Sequence, residues 1–404
     1  MIPGRIVVVG ASLAGLRSVE ALRREGFGGQ ITVLGAEEHL PYDRPPLSKE
    51  VLAGKWDPER TALRNPESYE DLGAKWHLGQ PATELDLAGR TVTAGGERFP
   101  FDAVIIATGA EPRMLPGVDE ISGIHALRTL DDSIAVRRAF DAGARVAVVG
   151  AGFIGGEVAA TARTRGLDVT LIEALPVPLE RALGAEMGRT VAQLHRDHGV
   201  DVRLGVSVEA FEGKGHIERV RLGDGSTVDA DVVIVGIGVA PRTGWLEGSG
   251  LALDDGVVCN EHCEATLSSG ERAAGIFAVG DIARWLNPRY AESMRIEHWT
   301  HATESADAVA TAIISGPDAA PYSPIPYFWS DQFDVKIQYA GRAGPGDDMR
   351  IVEGAIDERR FVALYGRQNR ITAVLGFSRP RLVMKYRRMM RDGIGFEEAV
   401  KGNA

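Results

Sequence analysis

The chain has 404 residues, of which 44% are hydrophobic and 49 are glycine, and its formal net charge is −11. This length allows two or three α/β domains. The acidic balance argues against a nucleic-acid-binding protein, because phosphate contacts need a basic face. No apolar run reaches the ~18 residues of a membrane helix and no signal segment precedes the first strand, so we expect a cytoplasmic protein with no membrane association. Cys259 and Cys263 have no metal or redox spacing, so we expect structural thiols.

The N-terminus carries a strand–turn–helix pattern. A buried strand at 5–9 runs into a glycine turn, and a helical pattern follows as far as Gly26. Gly10 makes the tight turn and Gly15 lets the helix pack on the strand, while the helix N-terminus favours a pyrophosphate. Ser12 takes the place of the usual middle glycine. Alone, the motif indicates either a dinucleotide site or a turn that serves only packing.

The same pattern recurs in a second strand at 145–149. The glycines of its turn are Gly150, Gly152 and Gly155. In each copy the following strand ends near an acidic residue, Glu37 or Glu173, where a carboxylate accepts hydrogen bonds from an adenosine ribose. In the first copy the sequence leaves open whether Ala36 or Glu37 faces that ribose. Two complete units predict two dinucleotides, with two unliganded parallel-sheet domains as the alternative.

Residues 40–49 contain two adjacent prolines, which predict a rigid extended segment that fixes the positions of Arg44 and Lys49. A solvated loop is the plainer interpretation. The segment resembles the signature of the flavin-dependent ferredoxin reductases of oxygenase systems, the putidaredoxin reductase and aromatic-dioxygenase ferredoxin reductase family. Segments at 107–109, 276–282 and 295–302 resemble further motifs of that family in the same order, and the last of them is expected to start a helix. The resemblance therefore covers essentially the whole chain.

The resemblance implies that the chain returns to its first domain after completing the second. The fold class is then α/β, with two Rossmann-type dinucleotide-binding domains, one inserted in the other, and a small C-terminal α+β domain. The expected boundaries are 1–111 with 241–316 for the FAD-binding domain, 112–240 for the NAD-binding domain and 317–404 for the C-terminal domain.

The resemblance also implies the cofactors, FAD and NADH, and the residues that bind them. The expected cofactor-binding residues are Gly10, Ser12, Ala14, Gly15, Glu37, Arg44, Lys49, Thr108, Arg113, Asp281, Glu297, Trp299, Trp329, Gly150, Gly152, Ile154, Gly155, Glu173 and Gly238. Asp281 would hydrogen-bond the ribityl chain, and Trp329 would approach the flavin, although a core tryptophan is the alternative. His298 and His301 lack a third ligand at suitable spacing, so we expect no metal.

Glu157 follows the second glycine turn by two residues, where a buried carboxylate needs a cation. In the family the partner is the lysine that corresponds to Lys49. We therefore expect Lys49 and Glu157 to be catalytic, beside the flavin N5 and the nicotinamide. The alternative is a helix N-terminal Glu that the dipole alone favours.

The implied activity is hydride transfer from NADH to FAD, followed by release of single electrons to a two-iron two-sulfur ferredoxin. That ferredoxin would serve a cytochrome monooxygenase or a ring-hydroxylating dioxygenase, and the reductase would be a monomer or weak dimer. A rubredoxin reductase and an apoptosis-inducing-factor-like flavoprotein are the alternatives. A disulfide reductase or a cysteine-dependent NADH oxidase is disfavoured, because no cysteine precedes Cys259.

The last helical pattern, from Arg379 to Arg391, holds six basic residues and no acidic one. Helical spacing places Arg381, Lys385 and Arg388 on one face, opposite an apolar face that includes Leu382 and Tyr386. This basic face is either simply solvated or the docking surface for an acidic ferredoxin.

Overall fold

The structure is a computed structural model that describes residues 2–118 and 121–402. In chain order its strands are β1 (Arg5–Val9), β2 (Gln30–Leu34), β3 (Ala74–His77), β4 (Ala82–Asp86), β5 (Thr91–Ala94), β6 (Glu97–Pro100), β7 (Ala103–Ile106), β8 (Ala110–Pro112), β9 (Ile124–His125), β10 (Val146–Val149), β11 (Val169–Glu173), β12 (Asp201–Leu204), β13 (Val208–Glu212), β14 (Arg219–Leu222), β15 (Thr227–Asp229), β16 (Val232–Val235), β17 (Val239–Pro241), β18 (Val257–Cys259), β19 (Glu264–Thr266), β20 (Arg272–Ala278), β21 (Ala283–Asn287), β22 (Glu292–Met294), β23 (Tyr327–Gln332), β24 (Val335–Gly341), β25 (Asp348–Ala355), β26 (Arg360–Arg367) and β27 (Arg370–Phe377). Its helices are α1 (Leu13–Arg24), α2 (Leu130–Asp141), α3 (Phe153–Thr164), α4 (Glu180–Asp197), α5 (Trp299–Ser315), α6 (Pro380–Asp392) and α7 (Phe396–Lys401).

The chain forms two compact units, each built from three segments. The first unit contains Met1–Asp43, Ala62–Glu111 and Ala240–Phe328. The second contains Arg44–Thr61, Pro112–Val239 and Trp329–Ala404. The chain thus changes unit at 43/44, 61/62, 111/112, 239/240 and 328/329, and the three-domain boundaries expected from the sequence stay a prediction. The segment 44–61 and the C-terminal region both group with the second unit.

The first unit is built on a sheet with a parallel core in the order β3-β2-β1-β7-β20, which continues through β19, β18, β21 and β22. Ile6–Val9 of β1 are all buried, as is usual for a parallel strand covered on both faces. Strand β20 returns to lie beside β7, although the whole second Rossmann-type sheet lies between them in sequence. This topology confirms the expected insertion of one dinucleotide-binding fold in another.

The second unit repeats the arrangement in a parallel sheet ordered β12-β11-β10-β16-β9. Strand β10 lies between β11 and β16 as β1 lies between β2 and β7, and all four residues Val146–Val149 are buried. A three-stranded antiparallel sheet, β13-β14-β15, packs its apolar side chains with this core. The strand–turn–helix pattern that occurs twice in the sequence is therefore part of a repeat of whole sheets.

The C-terminal region forms the expected α+β domain, with a sheet ordered β23-β24-β27-β26-β25. Phe361 and Phe377 stack in its core with ring centroids 4.7 Å apart. Helix α6 begins with Pro380 at a position that tolerates the missing N–H, and it buries Val383 and Tyr386. Leu382, expected on the apolar face, is only half-buried.

Two local expectations are corrected. Helix α5 begins at Trp299 and not near 295, because His298 has extended backbone and Arg295 pairs with both Asp255 and Glu297. The segment expected to be extended contains a short 3-10 helix at Pro45–Ser48, since the fixed φ of proline also suits the first turn of a helix. Within residues 2–118 and 121–402, no helix combines the length and apolar character required to cross a membrane.

Candidate functional site

The two glycine turns have the same close-packed geometry. A Cβ atom at Gly15 would lie 1.9 Å from the carbonyl oxygen of Gly10, and a Cβ at Gly155 would lie 1.9 Å from that of Gly150. Any side chain at these positions would clash with a backbone carbonyl group, and the backbone could not shift without disrupting the turn. Glycine at both positions is therefore required for the helix to follow its strand this closely.

The helix N-termini behind these turns suit bound phosphate groups. Neither α1 nor α3 has an acidic residue in its first turn, so the positive end of each helix dipole is not neutralised there. The middle position is Ser12 in one turn and Gly152 in the other, and both have negative φ, −112° and −72°. Serine therefore causes no backbone strain. The residues present fit two dinucleotide pyrophosphates.

Glu173, the last residue of β11, has a carboxylate that accepts hydrogen bonds from two backbone N–H groups. Glu173 Oε2 accepts a hydrogen bond from the N–H of Ala151 at 2.7 Å, and Oε1 accepts one from the N–H of Leu175 at 2.9 Å. A carboxylate has about four lone-pair sites, so about two remain for ribose hydroxyls. In the first repeat the hydroxyl of Tyr42 donates to Glu37, while Ala36 is exposed. The choice between Ala36 and Glu37 thus stays a prediction.

Three expected flavin residues lie at one edge of the first sheet. Gly10, Thr108 and Asp281 each follow the carboxyl end of β1, β7 or β20, and carboxyl ends of adjacent parallel strands meet at the same edge. The hydroxyl of Thr108 donates to the carbonyl of Arg242 at 3.2 Å. This edge is where ligands of open α/β sheets bind.

Other expected flavin residues in the first unit also have protein partners. The indole N–H of Trp299 donates to Asp43 Oδ1 at 2.8 Å, and Glu297 pairs with Arg295 at 2.7 Å. Ala14 is buried in the first turn of α1. Their flavin contacts remain predictions.

The remaining expected cofactor residues belong to the second unit. Arg113 donates through its backbone N–H to the carbonyl of Gly238 at 2.9 Å, where Gly238 has a φ of 99°. Arg44 donates to the carbonyl of Arg128. Ile154 is 46% exposed in the first turn of α3. Trp329 is the first residue of this unit's C-terminal segment.

The second unit also contains a buried ion pair. Lys49 Nζ lies 2.8 Å from Glu157 Oε2, and the side chains are 15% and 4% exposed. Glu157 is the fifth residue of α3, one position beyond its first turn, so the dipole alone does not account for it. Removing one partner of a buried ion pair typically lowers the free energy of unfolding by about 3–5 kcal/mol, because the other charge is left buried without a partner.

Two serines that the sequence analysis did not single out complete this site. Ser48 Oγ donates to Glu157 Oε2 at 2.5 Å, and Ser330 Oγ donates to Glu157 Oε1 at 2.8 Å. Each serine is adjacent in sequence to a residue already singled out, Lys49 or Trp329. Their neighbourhood was the available signal, but only the fold brings both hydroxyls to the same carboxylate.

The thiols offer no redox dithiol chemistry. Cys259 and Cys263 are both buried and unbridged, and burial raises the pKa of each thiol well above its usual range. A buried thiol held in its protonated form is a poor nucleophile. The expectation that these residues are structural agrees with their surroundings.

Family models match nearly the whole chain. The model described as "Pyridine nucleotide-disulphide oxidoreductase" matches residues 4–306, and the one described as "Reductase C-terminal" matches residues 327–403.

Curated relatives and solved structures match over similar lengths. Rhodocoxin reductase of Rhodococcus erythropolis is 34% identical over 95% of this chain and 89% of its own. Putidaredoxin reductase of Pseudomonas putida is 33% identical over 98% of this chain and 94% of its own. Among solved structures, the covalent complex of putidaredoxin reductase with putidaredoxin matches with a TM-score of 0.91 and 33% identity, over 96% of this chain and 93% of the other. The ferredoxin reductase for the CYP199A2 system of Rhodopseudomonas palustris matches with a TM-score of 0.91 and 31% identity, over 99% of this chain and 100% of the other.

Proposed function

Because this chain belongs to the pyridine nucleotide-disulphide oxidoreductase family, and within it to the ferredoxin reductases of oxygenase systems, we propose that it passes electrons from NADH, through FAD, to a two-iron two-sulfur ferredoxin. The family resemblance that residues 40–49 and the later segments carry is thereby confirmed. The protein is an oxidoreductase that uses FAD and NAD(H), and the ferredoxin reductase assignment is favoured over an apoptosis-inducing-factor-like role.

When bound, FAD accepts a hydride from NADH and gives up the electrons one at a time. The protein's part is to bind and orient the two dinucleotides. We assign FAD to the turn Gly10–Gly15 and NADH to the turn Gly150–Gly155, following the family order. The helix N-termini of α1 and α3 bind the pyrophosphates, and Glu173 binds the adenosine ribose of NADH.

The observation that carries this proposal is the buried Lys49–Glu157 pair, whose carboxylate lies on α3, the helix that starts from the second glycine turn. A pair with only 15% and 4% exposure is costly to bury, so its place beside a nucleotide-binding turn favours a functional role over surface charge pairing. Lys49 is the more exposed member. It is assigned as the catalytic group that faces the reacting ring, and Glu157 keeps it in place.

The basic face of α6 is assigned to the protein partner. Arg381, Lys385 and Arg388 are exposed, and Met384 among them is 43% exposed. Three cations around an apolar side chain, in a chain of net charge −11, are suited to an acidic ferredoxin. The three basic residues would chiefly accelerate the encounter with the ferredoxin. Exposed ion pairs contribute only about 0.2–1 kcal/mol each to the free energy of an interaction.

The experiment is anaerobic reduction followed by electron transfer. The purified protein should be yellow, its flavin bands should bleach on NADH, and a two-iron two-sulfur ferredoxin should be reduced in fast turnover. A colourless protein that cannot be reconstituted with FAD would contradict the cofactor assignment. Flavin that bleaches but reduces rubredoxin much faster than any such ferredoxin would contradict the assigned partner.

A further inference from the structure

The carboxylate of Glu157 is fully occupied by donors. Oε2 accepts from Ser48 Oγ at 2.5 Å and Lys49 Nζ at 2.8 Å, while Oε1 accepts from Ser330 Oγ at 2.8 Å and the N–H of Asp331 at 3.2 Å. A carboxylate has about four lone-pair sites, so four donors fill them. Glu157 therefore acts as a fixed anion that holds Lys49, and it has no site left with which to bind a ligand.

The donor Ser330 is itself oriented by a chain of buried side chains. Gln332 Nε2 lies 3.3 Å from Ser330 Oγ, and His195 Nε2 lies 2.9 Å from Gln332 Oε1. An ionised carboxylate only accepts, so the Ser330 hydroxyl must donate to it and Gln332 must present its NH2 group to the serine. The Gln332 oxygen then faces His195, which must carry its proton on Nε2. Each donor in this series of hydrogen bonds, from His195 through Gln332 to Ser330, therefore points toward Glu157.

Burial keeps the hydrogen-bonded side chains Ser330, Gln332 and His195 in one protonation state near neutral pH. Ser330, Gln332 and His195 are all 0% exposed, and burial lowers the pKa of His195 to about 4. The neutral imidazole with a proton on Nε2 is thus the form present in the working range. Buried hydrogen-bond chains of this kind hold each member more rigidly than isolated bonds do.

The backbone makes room for this contact. A Cβ at Gly156 would lie 2.8 Å from Gln332 Nε2 and 2.9 Å from its amide carbon. Gln332 is hydrogen-bonded at both ends of its amide. It could therefore not move aside without breaking its hydrogen bonds to Ser330 and His195. Glycine at 156 therefore allows β23 to lie against α3 beside Glu157.

From these contacts we propose that Ser330, oriented by Gln332 and His195, is a positioning residue for hydride transfer. It fixes the Glu157 carboxylate and, through it, the Lys49 ammonium. The inference rests on the role proposed above for the Lys49–Glu157 pair. It assigns to the C-terminal region a part in flavin reduction, in addition to any part in ferredoxin docking.

The test compares Ser330→Ala with Ser330→Thr, which keeps the hydroxyl. In stopped flow, Ser330→Ala should lower the limiting rate of flavin reduction by NADH about tenfold, equivalent to about 1.4 kcal/mol, while the Kd for NADH changes less than about twofold. Ser330→Thr should recover the rate to within about threefold of wild type. Dithionite should reduce all variants equally, and the matched control Ser378→Ala, in the same C-terminal region, should behave as wild type.

A second readout does not depend on turnover. Ser330→Ala should lower the thermal unfolding temperature of the holoenzyme by about 2–3 °C, as expected for a lost hydrogen bond to a buried charge. In a Glu157→Ala background the same change should shift that temperature by less than about 1 °C and the reduction rate by less than about twofold, because Ser330 acts through Glu157. Full effects in that background would overturn the inference.

The outcomes separate this inference from the proposed function. If Glu157→Ala leaves flavin reduction unchanged, the role of the ion pair itself fails. If Glu157→Ala slows reduction but Ser330→Ala does not, only the positioning role is overturned. Should Ser330→Ala not fold, Gln332→Met removes the orienting donor and should slow reduction about threefold, and an unchanged rate in that variant overturns the proposal.

Discussion

The strongest test of the nucleotide assignment concerns Glu173 and the choice between NADH and NADPH. The carboxylate uses one lone-pair site for Ala151 and one for Leu175, which leaves about two sites for the free ribose hydroxyls of NADH. A 2′-phosphate would instead bring negative charge toward the carboxylate. Glu173→Gln removes that charge, yet its amide oxygen still accepts a hydrogen bond from a turn N–H.

The magnitude follows from Coulomb's law. Two unit charges about 4 Å apart repel by about 1 kcal/mol in water and about 4 kcal/mol at the effective dielectric of a protein surface. The wild-type enzyme should therefore prefer NADH by about 5-fold to 900-fold in kcat/KM, at about 1.4 kcal/mol per tenfold. Glu173→Gln should reduce this preference at least about fivefold, chiefly by raising kcat/KM for NADPH.

The assay is steady-state ferricyanide reduction with each nucleotide, which is independent of any ferredoxin. The matched control is Glu37→Gln, the corresponding position of the first repeat, which should change FAD content but not the NADH/NADPH ratio. If Glu173→Gln leaves that ratio within about twofold of wild type, Glu173 is not the group that recognises the ribose.

Three further results are expected. Asp281→Ala should lose FAD, seen as a colourless protein, while NAD⁺ still binds to the second unit; retention of full flavin would contradict the ribityl role. Reversing Arg381, Lys385 and Arg388 to Glu should slow ferredoxin reduction steeply at low salt, less at high salt, and leave ferricyanide reduction intact; equal ferredoxin rates would place docking elsewhere. Burial lowers the pKa of His301 to about 3, so the unfolded chain binds its proton first as pH falls below 6.5, and stability should fall by about 2 kcal/mol at pH 5. His301→Phe should therefore flatten the decline of the unfolding temperature between pH 7 and 5, and an unchanged slope would contradict this account.

The sequence was sufficient wherever one residue type has one structural meaning at close range. The turns at Gly10 and Gly150 were predictable because only glycine permits a helix to leave its strand so tightly, and the uninterrupted apolar strands beside them are typical of parallel sheets. The residues at which helices begin were less predictable. Helix α5 begins at Trp299 because the ion pairs of Arg295 hold the preceding backbone extended, and one of those partners, Asp255, is distant in sequence.

The candidate site shows the same division. Lys49 and Glu157 could be named from the motifs around them, but periodicity does not reveal that four donors would fill one carboxylate. Ser330 reaches Glu157 across 173 positions of sequence, and Gln332 reaches His195 across 137. Local preference therefore determined the turns, the strands and the candidate residues. Tertiary structure alone decided which hydroxyls surround the buried charge, because a hydrogen bond depends on distances of about 3 Å that only the complete packing of β23 against α3 defines.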